Sequence, residues 1–140
     1  MVQLWKMDRP RKTMGIERII HVGIEHTLEW YYNSKGKSQA LDYFNSLPNE
    51  QKRKVLHLFV VMGDFGKIHD TTKFRYEDDA IYAFKPQPNR FLCFFFKGKK
   101  IIVTNAFTKK QNKLPKQEKE KALKYKEDFE ARFQEGTYYG

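Results

Sequence analysis

The sequence predicts an α+β fold in which two N-terminal helices and a C-terminal helix pack on a small, mostly antiparallel twisted sheet, and three observations carry that reading. Residues 81–110, IYAFKPQPNRFLCFFFKGKKIIVTNAFTKK, have the composition and turn spacing of a three-stranded antiparallel meander. Two helical segments, residues 38–44 and 48–63, precede it. After Pro115, the residues Ala122, Tyr125, Phe129 and Phe133 recur at helical spacing and form the apolar stripe of a last helix.

In chain order, residues 1–18 are basic and mixed and read as an extension, residues 19–135 as one domain and residues 136–140 as a short tail. Residues 19–22 and 27–32 are short β-prone runs, the second a strand of the main sheet ended by the turn formers Asn33, Ser34, Lys35 and Gly36. Ser38 is placed to cap the first helix. Pro48 opens the second, whose Val55, Leu56, Phe59 and Met62 would face the sheet and which Gly63 would stop. Residues 73–76 follow as a strand and Glu77, Asp78 and Asp79 as an acidic turn. In the meander, Phe91, Phe94, Phe95 and Phe96 supply core bulk.

A chain of 140 residues supports one domain with a modest core. The 27 Lys and Arg against 17 Asp and Glu leave a net charge of +10, which favours a polyanionic partner such as nucleic acid. Cys93 is the single cysteine, so an internal disulfide and a cysteine-based zinc site are both excluded. No apolar run approaches a membrane span, and the opening MVQLWKMDRPRKTM lacks the apolar core of a signal peptide. The expected location is the cytoplasm, with no membrane partner.

The candidate chemistry lies at one end of the meander. Lys85 and Arg90 flank the turn Pro86-Gln87-Pro88-Asn89 as a cross-strand pair of like charge, an arrangement unfavourable on a sheet unless the cations splay into water or hold an anion. If Lys97 pairs with Lys100 across the second turn, antiparallel counting sets Arg90 opposite Phe107, and Lys109 and Lys110 emerge beside it. Lys85, Arg90, Lys109 and Lys110 are therefore the candidate catalytic residues, suited to a phosphate with developing negative charge. Arg90 offers a planar fork for two phosphate oxygens, and a lysine depressed by its cationic neighbours can accept a proton.

Lys73, Tyr82, Phe107 and Lys113 are candidate RNA-binding residues: Tyr82, with Tyr76, to orient or protonate, Phe107 to stack on a base, and the lysines to meet phosphates. Residues 109–126 carry eight Lys and two Glu. Each of these residues also has a plainer reading, as a solvated strand end, a surface lysine, a packed aromatic ring or a solvated helix face. His57 and His69 have no partner at metal-ligand spacing, and Cys93 in a core strand reads as a buried apolar residue. Neither a metal nor another cofactor is expected.

Over residues 27–135 the chain resembles the RelE/HigB toxins of bacterial toxin–antitoxin modules, in the phage-derived HigB-like branch. The resemblance rests on Lys85 ending one strand, Arg90 opening the next, Phe107-Thr108-Lys109-Lys110 closing the last, and Pro115-Lys116-Gln117-Glu118 at a helix start. It implies a RelE-like fold and a ribosome-dependent mRNA endoribonuclease that inhibits translation. Its partners would be mRNA, the ribosome and a cognate antitoxin, a helix-turn-helix protein, bound over the basic face. His21, His26, His57 and His69 all precede the meander, so no histidine stands near the last strand, where some HigB relatives place one. Two other readings stay open: a ParE-like DNA gyrase inhibitor on the same fold, and a non-catalytic RNA-binding module.

Overall fold

A strand that is apolar on both faces needs cover on both, and the run Asn-Arg-Phe-Leu-Cys-Phe-Phe-Phe receives it. The computed structural model describes residues 17–140, so the basic extension read at residues 1–18 lies, apart from Glu17 and Arg18, outside the described residues. The elements are β1 (Ile19–Val22), β2 (Thr27–Trp30), α1 (Gln39–Asn45), α2 (Asn49–Phe65), β3 (Phe74–Tyr76), β4 (Tyr82–Phe84), β5 (Asn89–Phe96), β6 (Lys100–Thr108) and α3 (Lys116–Glu135). The strands form one sheet in the order β1-β2-β6-β5-β4-β3.

This architecture corrects the fold class expected from the sequence. The sheet has six strands and is mixed, because β2 runs parallel to β6 with Leu28 opposite Ile101 and Trp30 opposite Val103. Two strands precede α1 and α2, so the helices do not open the fold. The physical reason is burial: β2, Thr-Leu-Glu-Trp, alternates like a strand with one solvated face, yet Glu29 is buried too, paired with Lys100 and hydrogen-bonded by Tyr139, so its sequence does not mark it as a strand covered on both faces. Its parallel partner lies some seventy residues away and leaves no local signal.

On one face Leu28, Trp30, Phe84, Phe91 and Val103 pack under α1 and α2. Phe59 of α2 is fully buried there, edge-on to Phe84 at 4.8 Å and to Phe91 at 5.7 Å between centroids. Burial of such a side chain stabilises by about 1.5–3 kcal/mol. On the other face Leu92, Phe94 and Ile102 pack under Ala122 and Phe129 of α3. Tyr138 is buried in this second cluster, and its hydroxyl accepts from the Tyr32 backbone N–H at 3.0 Å.

Ser38 caps α1, its side chain accepting from the Leu41 N–H at 3.3 Å. The buried stripe of α2 is Val55, Leu58, Phe59 and Met62, with Leu56 half-buried. Gly63 does not stop α2: the helix runs to Phe65, and Gly66, at φ 80°, is the left-handed cap. Gly63 lies inside the helix because the β1–β2 turn presses on it, with the Glu25 and His26 N–H groups donating to its carbonyl at 2.8 and 2.9 Å. Among the described residues no helix is long and apolar enough to cross a membrane.

Candidate functional site

The site is built by register. Phe74 pairs with Phe84, and the next step of that ladder is the Lys85 N–H donating to the Lys73 carbonyl at 2.8 Å. Phe84 pairs with Phe91, which sets Lys85 beside Arg90, and Arg90 pairs with Phe107. Lys73, Lys85, Arg90 and Phe107 therefore form one row across β3, β4, β5 and β6 at the end of the sheet. Lys109 follows two residues beyond Phe107, held by its N–H to the Pro88 carbonyl at 2.8 Å.

The start of β5 is anchored from the opposite face. Asn89 accepts a hydrogen bond from the Tyr43 hydroxyl at 2.6 Å and donates to Gln51 Oε1 at 2.9 Å, while Tyr43 also meets Thr108 Oγ1 at 2.6 Å. This network ties α1 and α2 to the ends of β5 and β6. Because side chains alternate along a strand, fixing Asn89 on the helix side fixes Arg90 on the other. Gln39 of α1 exchanges two hydrogen bonds with the backbone of Ala106, at 2.7 and 2.8 Å, and so holds β6 two residues before Thr108.

Arg90 is buried, only 8% exposed, with Nη1 donating to its neighbour's carbonyl at Asn89 at 2.9 Å. Burial holds its pKa below the usual arginine value, with Glu77 acting weakly in the opposite direction. Lys85 is half-buried and donates from Nζ to the Thr71 carbonyl at 3.1 Å. Its ammonium pKa is lowered first by burial, then by Arg90, with Arg75 and Lys109 adding to the effect against Glu77. Among the described residues, no carboxylate stands within ion-pair distance of Lys85 or Arg90. Glu77 and Asp70 act on these cations only from beyond ion-pair distance. Cations crowded together without a directly paired carboxylate are relieved by a bound anion, and Arg90 provides the fork geometry that a phosphate matches.

The structure brings Lys85, Arg90, Lys109, Lys73 and Phe107 together. Lys110 is exposed just after β6, and Lys113 is exposed in the loop leading to α3. Tyr82 does not join the row: it lies in the cluster facing α2, stacked on Phe74 at 5.4 Å and edge-on to Phe95 at 5.0 Å. Cys93 is fully buried, and burial pushes its thiol pKa up.

Sequence reasoning missed Arg75, whose charge reaches Lys85, because a lone arginine in a three-residue strand carries no pattern. It also missed Asn89, Tyr43 and Thr108. A signal for Asn89 was present in its position: an amide beside Arg90 at the first residue of a strand must point to the opposite face and find partners there.

No curated protein matches the chain. The family profile of the phage-derived Gp49-like proteins (DUF891), a family associated with RelE/HigB-like toxins, matches residues 42–127, from α1 through most of α3 and including the whole cation row. That match covers more than half of the sequence, and the chain belongs to the Gp49-like family.

Proposed function

We propose that this chain is the toxin of a bacterial toxin–antitoxin module and that it cleaves mRNA in the ribosome as a metal-independent endoribonuclease. The observation that carries the reading is the row Lys73–Lys85–Arg90, continued by Lys109 and, among the described residues, without a paired carboxylate, at one end of the sheet. Membership of a family associated with toxins supports the biological setting.

In the proposed reaction the ribose 2′-oxygen attacks the adjacent phosphorus and the bond to the 5′-oxygen breaks, leaving a 2′,3′-cyclic phosphate and a 5′-hydroxyl. Arg90 binds two non-bridging oxygens of the pentavalent phosphate, where charge builds up. Lys85, with its lowered pKa, takes the proton of the 2′-hydroxyl. The Lys109 ammonium is the candidate donor to the departing 5′-oxygen. Phe107, half-buried beside Arg90, offers a ring edge to a neighbouring base. Lys110 and Lys113 extend the basic edge over which an antitoxin, a helix-turn-helix protein, would sit.

The test is to map mRNA 5′ ends after brief induction of the chain in a bacterium, with Arg90→Ala alongside. New ends within translated frames, absent in the variant, are the expected result. Growth arrest with intact mRNA would replace this reading with gyrase inhibition, and no arrest would leave an RNA-binding module.

A further inference from the structure

The row of cations does not end at Lys73. Between α2 and the segments around residues 72–73 and 85–87 lies a cavity of about 540 Å³. Among the described residues four cations line it: Lys73 and Lys85 from the row, and Arg53 and Lys54 from α2, with His57 one helical turn further on. Between these charged heads Leu58 and Pro86 supply apolar wall beside the uncharged Thr72 and Gln87, and among the described residues no acidic side chain contributes to the lining. Lys85 is the junction: Arg90 faces away from α2 and the cavity lies on the α2 side, and Lys85, next to Arg90 in the ladder at the end of the sheet, lines the cavity.

A volume of 540 Å³ lies within the range of small-molecule pockets and accommodates one nucleotide. Polar-headed cations around an apolar floor suit a ligand with an anionic group and a flat, weakly polar face. The continuity with Arg90 requires that the same molecule reach both places. A single strand of nucleic acid does this, since its phosphates are spaced along a flexible backbone and its bases are free to lie on apolar surface. A duplex cannot put one base into a pocket without unpairing it.

We propose that this cavity is a subsite for the nucleotide of a single-stranded RNA next to the bond held at Arg90, with Arg53 and Lys54 gripping its phosphate and Leu58 and Pro86 supporting its base. The inference rests on the endoribonuclease reading for the bond that is cut. The subsite itself requires only that RNA be bound. Arg53 and Lys54 are exposed and take no part in the buried stripe of α2, so their removal leaves the core untouched.

The experiment measures binding of a short single-stranded 2′-O-methyl oligoribonucleotide, which lacks the attacking hydroxyl, to the full chain by fluorescence anisotropy over a series of salt concentrations. Arg53→Ala with Lys54→Ala is compared with Lys35→Ala with Lys37→Ala, two exposed lysines in the turn after β2 whose loss removes the same charge. The α2 double variant should bind about tenfold more weakly, with a salt slope shallower by about 1.4, as the release of counterions from two single-strand phosphate contacts requires. The turn double variant should stay within about twofold of wild type.

Equal losses in the two double variants, or none in the α2 variant, would overturn the subsite. Cleavage of unmodified mRNA on ribosomes is measured in parallel. If wild type cleaves and the α2 double variant matches it in kcat/KM and in affinity, the subsite falls while the nuclease reading stands. If wild type does not cleave but the α2 variant alone loses affinity, the nuclease reading falls and the subsite stands.

Discussion

Arg90 on β5 and Phe107 on β6 face each other across the ladder, and a single extra residue in β6 brings them into line. Near the turn, Phe96 opposes Lys100; past the shift between Leu92 and Cys93, where Thr104 is inserted, every partner moves by one. Thr104 Oγ1 lies 3.1 Å from the Leu92 carbonyl oxygen and 2.7 Å from Asn105 Oδ1, so its one hydroxyl hydrogen is shared between two buried acceptors. Thr104→Val keeps the shape and removes the donor. It should destabilise the protein by about 1–3 kcal/mol in urea unfolding, the usual loss for an orphaned buried acceptor. Thr104→Ser, which keeps the hydroxyl, should lose clearly less; equal losses would mean that the hydroxyl does not hold the bulge.

Arg90 is also the residue whose chemistry is hardest to replace. If it stabilises the pentavalent phosphate, Arg90→Ala should slow single-turnover cleavage on programmed ribosomes by about 10²–10³-fold, the range for loss of one well-placed donor to a developing oxyanion. Arg90→Lys keeps a charge but not the planar fork and should recover less than about tenfold of that loss, because bidentate recognition is not available to an ammonium. A lysine variant with wild-type rate would show that Arg90 acts as a point charge only.

The meander was legible because each strand advertises itself: apolar runs, two short turns and cations placed where the runs end. The expected pairing began one residue out, with Lys97 against Lys100 where Phe96 is the true partner, and the bulge at Thr104 restored Arg90 opposite Phe107. A bulge stabilised by a buried hydroxyl has no signature in a string of β-branched residues such as Ile-Ile-Val-Thr. The parallel pairing of β2 and β6 was illegible for a different reason, since the edge of a buried strand records burial and not its neighbour's direction. Gly63 read as a helix stop because glycine usually is one. Here its missing side chain serves a contact with the β1–β2 turn that only the folded chain reveals. At the site, the row across β4, β5 and β6 followed from counting, whereas Lys73, Arg75 and the lining of the α2 cavity depended on where a short edge strand and a helix come to rest.

The C-terminal residues predict how the protein responds to alkali. The phenols of Tyr31, Tyr32, Tyr138 and Tyr139 all have raised pKa values, burial being the largest cause for each, and that of Tyr32 is pushed up to about 12. Hydrogen bonds add to burial at two of them, from Tyr31 to Asp128 at 2.5 Å and from Tyr139 to Glu29 at 2.7 Å. A raised folded-state pKa means that the unfolded chain loses its proton first. The stabilisation is therefore complete below the ordinary phenol value of about 10 and is lost as pH rises through that value towards the folded one. Phenolate absorbance and far-ultraviolet circular dichroism, followed together, should show these four of the eight tyrosines ionising only as the fold is lost. All eight titrating together near an ordinary phenol value of about 10, with the helical signal intact, would contradict this.

Gly23 and Gly98 separate contact from conformation. A Cβ on Gly23 would fall 2.3 Å from both the carbonyl carbon and the oxygen of Gly63 and 2.6 Å from the His26 oxygen, all of them backbone atoms that cannot swing aside. The turn between β1 and β2 would have to lift from α2 and strain the two hydrogen bonds that end on the Gly63 carbonyl. Gly23→Ala should therefore cost about 3 kcal/mol, the upper end of ordinary overpacking losses. Gly98 has φ +72° with no atom of the described residues within 4 Å of its missing Cβ, so Gly98→Ala meets only the left-handed backbone penalty of about 1–2 kcal/mol. Urea unfolding of the two variants should rank them in that order. A Gly23→Ala protein no less stable than Gly98→Ala would show that the β1–β2 turn sits farther from α2 than the close approach of Gly23 to Gly63 requires.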